Sequence, residues 1–136
     1  MILPRLPDWD LRLVRALEAT PPFAWGTHDC CRFAARVVAA MTGHDPMAAA
    51  YAGRYQSADD AATLMASGGG LGALLTGTLG APLPSLASAR RGDVVLAAIG
   101  DHETVGILAD ARIAAQGPDG VVFLPRRCGR LAWSIG

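Results

Sequence analysis

Lysine is missing from the chain: all twelve basic side chains are arginines, and twelve acids balance them. The formal net charge is zero. The arginines are scattered rather than gathered into a stripe with interleaved aromatics, which argues against a nucleic-acid partner. Together with the many alanines, the missing lysine reads as coding bias rather than chemistry. Although 51% of the residues are hydrophobic, no run stays apolar for the roughly eighteen residues that a membrane span needs. No membrane span is expected, and the domain should be soluble. The first residues, Met1 to Arg5, lack the charged start, apolar core and small-residue cleavage site of a secretory signal, so an extracellular role would require a carrier.

Cysteine is scarce too, with three residues. They cannot all pair within one chain, and a disulfide between adjacent Cys30 and Cys31 would be strained, so reduced thiols are the default. His28, Cys30, Cys31 and Cys128 fit no common zinc spacing, and no metal or cofactor is expected. Gly68 to Gly70 follow a helical pattern and lack the Gly-Lys-Ser/Thr ending of a phosphate loop. They read as a helix stop.

What remains is enough for one domain over residues 1–136, a length that buries roughly two thirds of the unfolded surface. Asp8 through Ala19 reads as a helix with Leu11, Val14 and Leu17 inward and Asp8 as its cap, stopped by Pro21-Pro22. A second helix runs from Cys30 to Thr42, with Phe33, Ala34, Val37, Val38 and Met41 on one side, and ends at Gly43. His44 to Gln56 reads as a loop. Ser57 opens a third helix facing inward through Ala61, Leu64 and Met65. Leu71 to Leu79 is a fourth, whose leucines either cover a sheet or meet a partner. From Arg90 onward five short apolar runs read as strands: Val94–Ile99, Thr104–Leu108, Arg112–Ala115, Val121–Leu124 and Leu131–Ile135. Their spacing favours an antiparallel meander, which makes the domain α+β, with N-terminal helices packed on a C-terminal antiparallel sheet.

The stretch Phe23 to Phe33 carries the chemistry. Asp29 is placed to cap the second helix and Cys30 to be its first residue, where the positive end of the helix dipole favours a thiolate. Cys30 is thus either a nucleophile or a small thiol packing the helix start. Cys31, rotated by about 100° on the wheel, reads as core, and Cys128 as a bystander. Asp93 reads as strand-start punctuation, and Trp25 and Trp133 either line a substrate cleft or, as large aromatics beside a helix start and at a chain end more often do, close the core.

Asp29-Cys30 with Phe33 three residues on, Gly92-Asp93 opening a strand, and Thr104-Val105-Gly106-Ile107 in the next strand resemble the NlpC-type cell-wall peptidases of the papain-like fold. Adding Trp25-Gly26, Gly117-Pro118-Asp119-Gly120 and Ala132-Trp133, the chain looks most like the small NlpC-like proteins of phage and prophage tails. The resemblance implies a papain-like fold, no cofactor, and Cys30 as the catalytic thiol. It also implies other phage tail-tip proteins and peptidoglycan as partners, and a virion tail location after synthesis in the bacterial cytoplasm. In active members the residue before Val-Gly is the histidine that deprotonates the cysteine. Here it is Thr104, which cannot take a proton at neutral pH. His102 lies two residues earlier on the same strand face, about 6.5–7 Å along, and is the substitute base if a bulge carries it forward. Gln116 is the residue placed to orient such a histidine. The expected function is a structural or attenuated cysteine hydrolase of a tail tip, the alternative an active peptidase or amidase of peptidoglycan stem peptides.

Overall fold

In a computed structural model, residues 4–48, 57, 59 and 69–136 are described. The helix expected from Ser57 to Met65 and the second half of the preceding loop fall outside them, apart from Ser57 and Asp59. The described residues form three α-helices and a five-stranded antiparallel sheet, so the chain is α+β.

Helix α1, Trp9–Glu18, buries Leu13, Ala16 and Leu17. Leu11 and Val14, expected inside, are 46% and 38% exposed. Two apolar stripes share Leu17, and helical periodicity alone does not choose between them. Small Ala16 lies on the buried stripe, and its carbonyl accepts from Arg36, so the close-packed side is the one chosen. Asp8 does not cap this helix with its side chain. Its carboxylate instead accepts from the Arg12 guanidinium at 2.7 Å.

Helix α2, Cys30–Thr42, runs between the expected bounds and ends on Gly43, whose φ of 83° needs no Cβ. Helix α3, Leu71–Leu79, buries Leu71, Leu75 and Leu79, and a Cβ on its Gly72 would meet Leu96 and Leu131 of the sheet. The leucine stripe therefore covers the sheet.

The strands are β1, Val94–Ile99; β2, His102–Ala109; β3, Arg112–Gln116; β4, Val121–Pro125; and β5, Gly129–Trp133. Their order is β4-β3-β2-β1-β5. The first four form the expected meander. The fifth departs from it: after a 3₁₀ turn at Arg126–Cys128 the chain returns to β1, pairing Val94 with Trp133 and Val95 with Ala132. Beside β4, which is largely exposed, Trp133 would sit at a wet edge. Beside β1 it is 0% exposed and donates Nε1–H to Gly80 O.

Alternation along the strands divides the core in two. Val94, Leu96, Val105, Ile107, Ala114 and Trp133 pack with the helices. Val95, Ala97, Leu108, Ile113 and Ala132 form the opposite face, where Leu83, Leu86, Leu124 and Cys128 pack. At Gly106 a Cβ would stand 2.5 Å from Ala114 O, so this position of β2 admits no side chain.

Asp93 closes the domain. Its carboxylate is 1% exposed and accepts from Arg90 N, Arg5 NH2 and Ile135 N. One Asp thus ties the N-terminal segment, the start of β1 and the C-terminal residues together. It serves the strand-start turn as expected, and the chain ends as well. Removing one member of a buried, hydrogen-bonded pair costs roughly 3–5 kcal/mol. Asp93→Ala should lower unfolding free energy by about that amount in urea titration, and a loss below about 1 kcal/mol would reject this role.

Candidate functional site

The loop before α2 is built to present its first residue. Ala24 and His28 pair through Ala24 N→His28 O at 3.0 Å and His28 N→Ala24 O at 2.7 Å. Gly26 turns at φ 82° between them, and Phe23 N donates to Pro118 O, which fixes the loop to the β3–β4 turn. Asp29 is fully buried. Its Oδ1 accepts from Arg32 N at 3.1 Å, and its Oδ2 from Gly26 N at 3.2 Å and the Arg32 guanidinium at 2.6 Å. The carboxylate therefore caps the helix and closes the loop together.

Cys30 follows as the first helical residue, partly buried. Its thiol pKa falls from 9.0 to about 7. The Cys31 thiol supplies the largest lowering, and the Val105 N–H and Thr104 hydroxyl add to it. Burial and the Asp29 charge oppose them. Cys31 belongs to the core as expected, at 5% exposure, yet its thiol still reaches Cys30. The wheel separates two adjacent side chains by angle, but sulfur is large and the Cβ vectors diverge from neighbouring points. Thr104, 6% exposed, is a direct hydrogen-bond partner of the thiol through its side chain, a contact between a strand and a helix start that no local pattern displays.

The three expected catalytic residues occupy different surroundings. His102 is exposed and pairs with Ile99 at the β1–β2 hairpin. The β1–β2 register is regular from Val94↔Ile107 to Ile99↔His102, with no bulge that would carry His102 forward to the position of Thr104. The strongest influences on the Cys30 thiol come from Cys31, Val105, Asp29 and Thr104, none of them a histidine. Gln116 ends β3, and its Nε2 donates to Pro21 O and Gly117 O. His44 lies past the far end of α2, and its N–H donates to Thr42 Oγ1. Trp25, expected in the core, is 42% exposed and meets the Phe23 ring edge-on with centroids 5.0 Å apart.

Gln116 instead shares a cavity with His28. The cavity holds about 210 Å³ and is lined by Thr27, His28, Arg32, Phe33, Arg36, Asp45 and Gln116. Arg32 and Arg36 stand one turn apart on α2, a spacing that the sequence displays but that also suits a plain solvated face. Among the described residues no group of three His, Cys, Asp or Glu converges as a metal site. No helix there is long and apolar enough to cross a membrane.

Residues 4–135 match the family model described as "Domain of unknown function (DUF6950)", and the chain belongs to that family. No curated protein matches it.

The thiol environment sets a pH profile. Alkylation of Cys30 by iodoacetamide, read by mass spectrometry, should reach about half its plateau rate near pH 7 and fall below it, because the thiolate reacts. Cys31→Ala should move that midpoint upward further than Thr104→Val does. A midpoint at the ordinary thiol value of about 8.5 in the wild type would refute the arrangement.

Proposed function

We propose that this protein is an NlpC-like, papain-fold member of a phage or prophage tail tip, structural or retaining an attenuated cysteine-hydrolase site. The observation that carries the reading is Thr104 against the Cys30 thiol, at the position where the resembling peptidases carry their histidine. Supporting it are a cysteine opening a helix, Asp29 capping it, and that helix lying over β2 and β3 of an antiparallel sheet.

The two halves of cysteine-hydrolase chemistry part company here. A thiol with pKa near 7 is about half ionised at neutral pH, so attack on a carbonyl carbon needs no general base. Collapse of the tetrahedral adduct on an amide expels an amine, which must pick up a proton. Thr104 cannot supply it as an imidazolium does. Esters, whose alkoxide or phenoxide leaves more readily, are less affected. Cys30 thus retains nucleophilicity and lacks the acid that peptide cleavage requires.

The lowered thiol pKa also favours a second reading, an active peptidase or amidase that cleaves peptidoglycan stem peptides with His102 and Gln116 assisting. The two differ in a measurable way. The attenuated site should release about one equivalent of p-nitrophenolate from p-nitrophenyl acetate in a Cys30-dependent burst, the acetyl group staying on the sulfur because no base activates water to hydrolyse the thioester, and should leave stem-peptide amides intact. Thr104→His should then raise amide cleavage by about 10²–10⁴-fold, and Cys30→Ala should abolish both activities. Wild-type cleavage of peptidoglycan fragments at an ordinary turnover of about 1 s⁻¹ or more, lost in His102→Ala, would establish the second reading. Absence of any Cys30-dependent p-nitrophenolate release or amide cleavage would leave the structural role, which predicts the protein in purified tails.

A further inference from the structure

Arg36 is a partly buried cation with neutral partners. Its NH1 donates to Ala16 O at 2.9 Å and its NH2 to Thr20 Oγ1 at 3.0 Å. Among the described residues it forms no ion pair, whereas Arg5, Arg12, Arg32 and Arg91 each have one with an aspartate. Burial alone lowers its pKa, with no opposing carboxylate contribution. A partly withdrawn guanidinium that forms no ion pair gains from an anionic partner, and this one lines the cavity on the flank of α2.

The other lining groups narrow what the cavity can take. Both Nε2 hydrogens of Gln116 point at carbonyls, Pro21 O and Gly117 O, which settles the amide orientation and leaves Oε1 as an acceptor with no partner among the described residues. Thr27 and His28 add polar groups that can donate. Arg32 is already paired with Asp29. Asp45 lines the same space and disfavours a ligand with more than one negative charge. The Phe33 ring edges the cavity and offers an apolar flank.

We infer that this cavity binds a small monocarboxylate bearing a neighbouring amide N–H, the chemistry of a peptide C terminus or an N-acyl amino acid. Arg36 holds the carboxylate, and Gln116 Oε1 accepts from the amide N–H. Cys30 does not line the cavity, so binding is independent of the thiol chemistry proposed above.

The probes are N-acetylglycine, its neutral analogue N-acetylglycinamide, acetate and inorganic phosphate, titrated into the full chain by calorimetry and ¹H–¹⁵N NMR. N-acetylglycine should bind about tenfold or more tighter than the amide, the gain of one charge-assisted hydrogen-bond pair. It should also bind tighter than acetate, which lacks the N–H, and tighter than phosphate. Amide signals of Thr27, His28 and Gln116 should shift. Arg36→Gln should erase the preference for acid over amide, and Cys30→Ala should preserve it. Because Arg36 also bridges α1 and α2, the wild-type comparison stands alone should that variant not fold. Equal binding of acid and amide, preference for phosphate, shifts confined elsewhere, or a preference that survives in folded Arg36→Gln would each overturn the inference.

Discussion

The site depends on one buried carboxylate. Asp29 is withdrawn from water, and such a charge is tolerated only where donors replace its hydration. Gly26 N, Arg32 N and the Arg32 guanidinium do so. Two of these donors belong to the first turn of α2 and one to the preceding loop. Satisfying the carboxylate therefore fixes the loop, the helix start and the entry angle of the chain in a single arrangement. Cys30 is placed as a consequence.

The sheet supplies what faces that cysteine. β2 is held on both sides, by β1 in a regular register and by β3 against Gly106, where no side chain fits. Its position along α2 is thereby set to within one residue, and a slip would turn every β2 side chain to the other face. Thr104 and Val105 meet the thiol because of this register, and for the same reason His102 stays at the hairpin. Asp93 reinforces the frame from the far end by tying Arg5 and Ile135 to the start of β1. Binding of β5 beside β1 then seals the helix face with Trp133.

Activation of a thiol and completion of an acyl transfer are separate chemical demands, and the surroundings of Cys30 bear on the first. The Cys31 thiol, the Val105 N–H and the Thr104 hydroxyl stabilise the Cys30 thiolate. On the reading proposed above, such a site would hold a reactive sulfur yet turn over amides poorly, which separates nucleophilicity from hydrolase activity. The Arg36 cavity beside it is a second polar feature with a different logic, a partly buried cation that forms no ion pair among the described residues.

Several features were legible in the residues alone. Asp-Cys before an apolar 3.6-residue period gave the α2 boundary, because capping and periodicity are local effects. The short apolar runs from Val94 onward, separated by Gly- and Asp-containing turns, likewise gave the strands, and Gly43 the helix end. Local rules did not decide which stripe of α1 is buried, since Leu11/Val14/Leu17 and Leu13/Ala16/Leu17 have the same period. Nor did they decide that β5 returns to β1, that Trp25 is exposed, or that Asp8 pairs with Arg12 instead of capping. Each of these is settled by competition for burial or for a charged partner between residues distant in the chain. The sequence by itself determined where a cysteine meets a helix start and where that helix ends. Only the tertiary structure decided that Thr104, Val105 and Cys31 converge on that sulfur and that Gln116 shares its cavity with His28 and Arg36, because strand register and helix packing act across separations that no local pattern encodes.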